Sequence, residues 1–151
     1  SIISQMITIN ISKQTLEYKE IYYSISTAKN GLGEVDNSYC TPTGKFKIAE
    51  KVGANLELGS VLIHRESTGE IYNTDLAKKY PDRDWILTRI LWLEGVDIHN
   101  QNTKNRYIYI HGSPDETPMG LPGSKGCVRM NNYDVIELFE SIHTGEDVVI
   151  I

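Results

Sequence analysis

Apolar residues in this chain recur at every second position over short stretches, and that alternation limits what the chain can fold into. In "MITINIS", Ile7, Ile9 and Ile11 are separated by Thr8 and Asn10, the pattern of a strand with one buried face. "LEYKEIYYSIS" is rich in Tyr and Ile and follows a few polar residues, so the two segments are expected to pair as a hairpin. A long polar loop, "KNGLGEVDNSYCTPTG", leads into "KFKIAEKV", where Phe46 and Ile48 alternate with Lys45 and Lys47. "SVLIHRE" and "EIYN" continue the pattern around a turn expected at Thr68-Gly69. "DLAKKYPD" has room for one helical turn, ended by Pro81.

"DWILTRILWLEG" is the most apolar segment, and its β-branched and aromatic content predicts a central strand. "RYIYIHG" predicts a strand that ends at His111. Helical spacing appears in "NNYDVIELFESIHTG", where Val135, Leu138, Phe139 and Ile142 fall on one face. Asn131 or Asn132 can cap that helix, and Gly145 can stop it. "EDVVII" closes as a strand. The expected fold is a mainly β single domain with one helix near the C-terminus.

The remaining bounds are broad. At 151 residues the chain is long enough for one domain with a core that needs no disulfide or metal. A formal net charge of -5, with no run of like charges, excludes nucleic acid as the main partner. No stretch approaches the length of a membrane span, and the first residues, "SIISQMITIN", carry no targeting signal. A processed mature form, a trimmed chain and a cytosolic protein all fit that start. Two cysteines, Cys40 and Cys127, are too few for a disulfide framework.

Cys127 is the residue with the clearest chemistry. It stands in "SKGCVRM", among small and cationic residues, whereas a thiol kept for packing usually sits in an apolar run. A thiol attacks a carbonyl as thiolate, so it needs a base, nearby cations or a helix N-terminus. His111 at a strand end supplies the base. Lys125 and Arg129 flank the thiol, and the helix that follows adds its dipole. Gly126 leaves room for an incoming carbonyl, and the N–H groups of Gly126 and Cys127 can form an oxyanion hole. The Gly112 carbonyl is the candidate to orient the imidazole. His64, His99, His143 and Cys40 lack the paired spacing of a zinc site, so no metal is expected.

These residues resemble the signature of the L,D-transpeptidase catalytic domain, the YkuD family. That signature is a His-Gly, a spacer, then Ser/Thr-His-Gly-Cys, a hydrophobic residue and Arg or Asn. Here it reads His111-Gly112 and Ser124-Lys125-Gly126-Cys127-Val128-Arg129. "TPTGKF" at Thr41 to Phe46 is similar to the family's Thr-Pro-x-Gly turn, and the resemblance runs from about residue 5 to the end. One departure stands out: Lys125 replaces the usual histidine before Gly-Cys.

The resemblance implies a sandwich- or barrel-like β domain whose Cys and His face a substrate groove. It further implies action on peptidoglycan stem peptides. Cys127 would attack the carbonyl of the L-centre of diaminopimelate, release the terminal D-amino acid, and pass the acyl group to an amine. Water as acceptor would make it an L,D-carboxypeptidase. An amidase on the same polymer and a non-catalytic peptidoglycan-binding module are the rival readings. No cofactor is implied, and the location would be periplasmic or cell-envelope. Ser124, Lys125 and Arg129 are expected to meet substrate; for Arg129, binding a stem carboxylate and bracing the loop by an ion pair weigh equally. Arg89 is expected to pair with Asp84 or Glu94, since an unpaired charge in an apolar run is costly. Cys40 reads as an inert thiol. The nine tyrosines read mostly as strand packing, with a groove lining as the alternative.

Overall fold

The computed structural model describes residues 6–151, so the stretch Ser1 to Gln5 of the segment read for targeting signals lies outside it. The first alternating segment forms β1 (Ile7–Asn10), with Ile7 and Ile9 fully buried. It pairs with β2 (Thr15–Tyr18), as expected, but the second segment is itself a hairpin of β2 and β3 (Ile21–Ser26). Its turn is Lys19-Glu20, both at positive φ. Such a two-residue turn normally carries Asn or Gly, and Lys-Glu gives no such signal.

The same thing happens further on. β4 (Gly44–Val52) precedes β5 (Ser60–Ile63) and β6 (Glu66–Ile71), and the turn between the last two is His64-Arg65, again at positive φ. Thr68-Gly69 is not that turn. It lies inside β6, where the register slips between Ser60↔Ile71 and Leu62↔Ser67, a bulge that uses Gly69 at φ +84.

α1 (Thr74–Lys79) starts on Asn73, whose side chain accepts from the Leu76 N–H, and it ends before Pro81. β7 (Ile86–Gly95) is central as expected, pairing with β4, β5 and β8. β8 is Tyr109–Ser113, so His111 stands in mid-strand and not at its end. The residues after Cys127 form β9 (Val128–Asn131), a strand parallel to β8 that the sequence patterning did not announce. Asn131 then caps α2 (Asn132–Ser141), and Val135, Leu138, Phe139 and Ile142 are all buried. The helix ends at Ser141, ahead of Gly145, which turns the chain into β10 (Asp147–Ile150) at φ +90.

The strands hydrogen-bond in the order β4-β10-β1-β2-β3-β9-β8-β7, and β7 returns to β4, so these eight close on themselves. β5 and β6 project from β7 as an open arm. Apolar residues from this ring and from α2 merge into one core containing Ile7, Phe46, Leu93, Ile110, Met130 and Leu138. A smaller apolar cluster of Leu62, Ile90 and Tyr109 lies where the arm leaves the ring, and Cys127 packs against it.

Candidate active site

The site is built on the one parallel pair that carries the signature residues. In the β8–β9 ladder, Ile110 is opposite Val128 and His111 opposite Arg129. Opposed residues share a face and alternate residues return to it. Tyr109, His111, Cys127 and Arg129 therefore point to the same side. The two halves of the motif, separate in sequence, are neighbours in the sheet.

His111 is 1% exposed. Its Nδ1 lies 2.6 Å from the Gly112 carbonyl oxygen, and since a carbonyl only accepts, Nδ1 carries the proton. Nε2 of the neutral ring is thereby left with its lone pair. Gly112 admits no side chain: a Cβ would run into Asn132 Oδ1 and the Leu87 carbonyl. Asn132 is held in turn by Thr88 Oγ1 at 2.8 Å, and Thr88 Oγ1 accepts from the Gly59 N–H at 3.0 Å. Thr88 occupies positive φ, 74°, at a bulge in β7. That bulge positions the group wedged behind the histidine's strand.

The Cys127 Sγ accepts from the Tyr109 N–H at 3.3 Å and donates to the Tyr107 carbonyl at 3.4 Å. Tyr107 is left-handed, φ 57, at the end of a short helical turn over Lys104–Arg106, which brings its carbonyl to the sulfur. Burial pushes the thiol up to about 12, while the Tyr109 N–H and Arg106 pull the other way and the Asp84 charge adds to the rise. The expected depression by Lys125 and Arg129 is not what sets it. The helix dipole is also remote, because β9 separates Cys127 from α2. Burial likewise lowers the His111 pKa, opposed by Asp84 and by the Gly112 hydrogen bond. Both shifts favour the uncharged forms.

A braced loop holds the thiol. Ser124 Oγ donates to the Cys127 carbonyl at 2.5 Å and accepts from the Gly126 N–H at 3.2 Å. Thr41 Oγ1 donates to the Gly126 carbonyl at 2.9 Å and accepts from the Ala28 N–H at 2.9 Å. Gly126 sits at φ +127, where a Cβ would lie 3.2 Å from the Cys40 carbonyl. That is the structural use of "TPTGKF" and of the glycine before the thiol. Of the two expected oxyanion donors, the Gly126 N–H is thus occupied by Ser124, and the Ser124 hydroxyl is used within the loop.

Arg129 is half-buried and donates to Ser26 Oγ at 2.7 Å; its Nε is buried without a partner, and no carboxylate lies within ion-pair distance among the described residues. Arg89 also departs from expectation. It is buried with no acid partner among the described residues and donates to the Leu56 and Thr88 carbonyls at 2.9 and 2.7 Å. Cys40 and Cys127 are both free thiols, and the Cys40 Sγ is directed at the Asn30 and Ser38 carbonyls.

In front of the thiol is a hollow of about 490 Å³, with Cys127, Tyr109, Leu62 and Ile90 in its lining. Arg65, Arg106 and Lys125 on its border are cationic, and Asp84 is acidic. Arg65 NH1 donates to the Tyr109 hydroxyl at 3.0 Å and its guanidinium lies over the Trp92 and Tyr107 rings. Sequence reasoning missed Arg65, Arg106 and Tyr107 as part of the site, and weighed Asp84 only as a partner for Arg89. None carries a motif, and only the fold brings them to residue 127. Among the described residues, no three His, Cys, Asp or Glu side chains converge as metal ligands would.

Comparison with known proteins agrees with this architecture. The family model for the L,D-transpeptidase catalytic domain, YkuD, matches residues 4–151. An L,D-transpeptidase from Mycobacterium tuberculosis H37Rv superposes with TM-score 0.60 at 14% identity, covering 98% of this chain and 57% of that one. L,D-transpeptidase 3 from Mycobacterium tuberculosis gives TM-score 0.60 at 15% identity, covering 98% and 61%. A curated Bacillus subtilis (strain 168) protein, named "Putative L,D-transpeptidase YqjB", is 40% identical over 50 residues, which are 33% of this chain and 28% of that protein. The chain thus spans less than two thirds of these relatives' own lengths. With its mainly β fold and its signature residues on adjoining parallel strands, the chain belongs to the L,D-transpeptidase catalytic domain family.

Proposed function

We propose that this domain is a cysteine L,D-transpeptidase acting on peptidoglycan stem peptides at the cell envelope, with Cys127 as nucleophile and His111 as general base. One observation carries the reading: His111 and Cys127 occupy one face of the β8–β9 pair, and the thiol borders an open hollow. The proton on Nδ1, held by the Gly112 carbonyl, leaves Nε2 as the basic nitrogen.

Burial favours the uncharged form of each group, so the base works during attack. As sulfur adds to the carbonyl of the L-centre, its proton passes to Nε2 and the carbonyl oxygen gains charge. The Cys127 N–H supports that charge, joined by the Gly126 N–H once its 3.2 Å contact to Ser124 is released. The C–N bond then breaks, and the imidazolium protonates the departing D-amino acid. An acceptor amine attacks the thioester, its proton returns through His111 to sulfur, and the C–S bond breaks. Lys125 and Arg129 offer cationic partners to a terminal carboxylate. Lys125, in place of the usual histidine, adds an exposed cation to the hollow's border without touching the base.

Defined muropeptides test this. Incubation with a tetrapeptide stem should release the terminal D-residue and yield a dimer or a D-amino-acid-exchanged product, and intact-protein mass should show a carbapenem adduct. Cys127→Ala should abolish both, and His111→Ala should slow acylation by roughly 10²–10⁴-fold, the usual share of a positioned base. Tripeptide as sole product would make the enzyme a hydrolase. Carbapenem that binds and never acylates would remove the nucleophile assignment.

A further inference from the structure

Beside the thiol's hollow lies a second one, of about 400 Å³. Tyr39, Arg106, Tyr107 and Lys125 border both, so they form the partition between them. The second hollow differs in chemistry. Asn37, Asn102 and Asn105 line it with neutral carboxamides beside Asp36, and the shared Tyr39 and Tyr107 are 57% and 53% exposed. Trp92 stacks on Tyr107 at 6.0 Å between ring centroids and 29° between planes, which fixes that ring in place. The Asn102 Nδ2 is committed to the Glu34 carbonyl and Asp36 Oδ1, yet its Oδ1 is buried with no partner among the described residues. An orphaned acceptor of this kind calls for an explanation. Arg106 is spent on the Cys40 and Gly33 carbonyls and Asp36 accepts from Asn102, while Lys125, shared with the first hollow, has no ion-pair partner among the described residues.

Flat apolar rings beside amides that both donate and accept suit a pyranose. One sugar face is lined with C–H groups that pack on an aromatic ring, and hydroxyl and acetamido groups around its edge match carboxamides. Rigid tyrosines make such contacts at small entropic cost, and the volume is in the range of small-ligand sites. We infer that this hollow binds an N-acetylated amino sugar of the glycan to which the reacting stem peptide is attached. The inference rests on the proposed stem-peptide reaction at Cys127. The geometry is compatible: three stem residues separate the sugar from the reacting carbonyl, and three extended residues span about 10 Å, a reach suited to adjoining hollows. The consequence is selection: a stem still attached to glycan is preferred over the same peptide in free form.

Two measurements test it. The first compares a disaccharide-tetrapeptide with the free tetrapeptide as acyl donor in the wild type, Tyr39→Ala and Asn105→Ala. The expected wild-type preference in kcat/KM is about tenfold, and each variant should lose most of it, as truncating a binding anchor does. Asn105 is exposed on a short turn, so its variant guards against misfolding of the other. The second titrates an N-acetylglucosamine tetramer into Cys127→Ala protein carrying Trp85→Phe, so that Trp92 against Tyr107 is the sole tryptophan reporter. Saturable change in Trp92 fluorescence, weakened by Tyr39→Ala, is expected. Acylation without sugar preference or sugar binding overturns the sugar site and leaves the transpeptidase reading standing. Sugar binding without acylation supports the sugar site and removes the peptide reaction.

Discussion

The imidazole of His111 and the thiol of Cys127 are shifted by the same cause, loss of water, in opposite directions. His111 is lowered and Cys127 raised to about 12, so each prefers to be uncharged in the folded protein. Linkage converts this into a stability profile. A base with a depressed folded pKa stabilises above its ordinary value near 6.5, and that contribution is lost as pH falls. An acid with a raised folded pKa stabilises below its ordinary value near 8.5, and that contribution is lost as pH rises towards about 12. The two therefore act together between about pH 6.5 and 8.5. Thermal melts across pH should show Tm falling below that window in the wild type and less steeply in His111→Gln; an unchanged acid limb would contradict the assignment. The motif in the sequence is what singles out these two residues as candidates. It could not give the charge state, because burial is decided by Leu62, Ile90 and Tyr109 packing beside the sulfur, residues remote from "SKGCVRM".

Among the elements, the strands were readable wherever one face is buried: Ile7 and Ile9, or Phe46 and Ile48, announce themselves by alternation. Turns were readable only where they used the usual residues. Lys19-Glu20 and His64-Arg65 are left-handed without glycine or asparagine, and the expected Thr68-Gly69 turn proved to be a bulge. A left-handed L-residue costs roughly 1–2 kcal/mol, so Lys19→Asn with Glu20→Gly should raise stability by about 0.5–1 kcal/mol in urea unfolding. No gain would mean that the cross-strand contacts of β2 and β3 already impose the turn. The loop around the thiol allows a sharper test. Thr41 serves the Gly126 carbonyl and the Ala28 N–H at once. Thr41→Val keeps the shape and strands both, which should cost about 1–3 kcal/mol and slow acylation as the loop loosens. Full activity at full stability would show that the brace is dispensable.

Across the whole molecule, β10 is the closing piece. It joins β1 in parallel and β4 antiparallel, with Val148 and Ile150 buried in the common core. Deleting residues 147–151 opens the ring and exposes two strand edges, so the shortened chain should lose its cooperative thermal transition and dispersed amide resonances. A truncated form that still melts sharply would show that the fold holds without a closed ring. The terminal "EDVVII" was recognisable as a strand, but its place between the first strand and the fourth was not, since alternation gives a buried face and no partner.

The parallel seating of β8 against β9 has one more consequence. Residues 114–123 lie in the connection from β8 to β9, and seven of those ten positions, Asp115, Glu116, Pro118, Gly120, Leu121, Pro122 and Gly123, are exposed. The spacing between imidazole and sulfur is fixed by the ladder and is indifferent to how much chain travels between them. Gly120 and Gly123 are tied to the Ile25 and Thr27 carbonyls, so the negotiable length lies ahead of them, in the largely exposed turn at 115–118, where a graft adds a new recognition element while the reacting atoms keep their places.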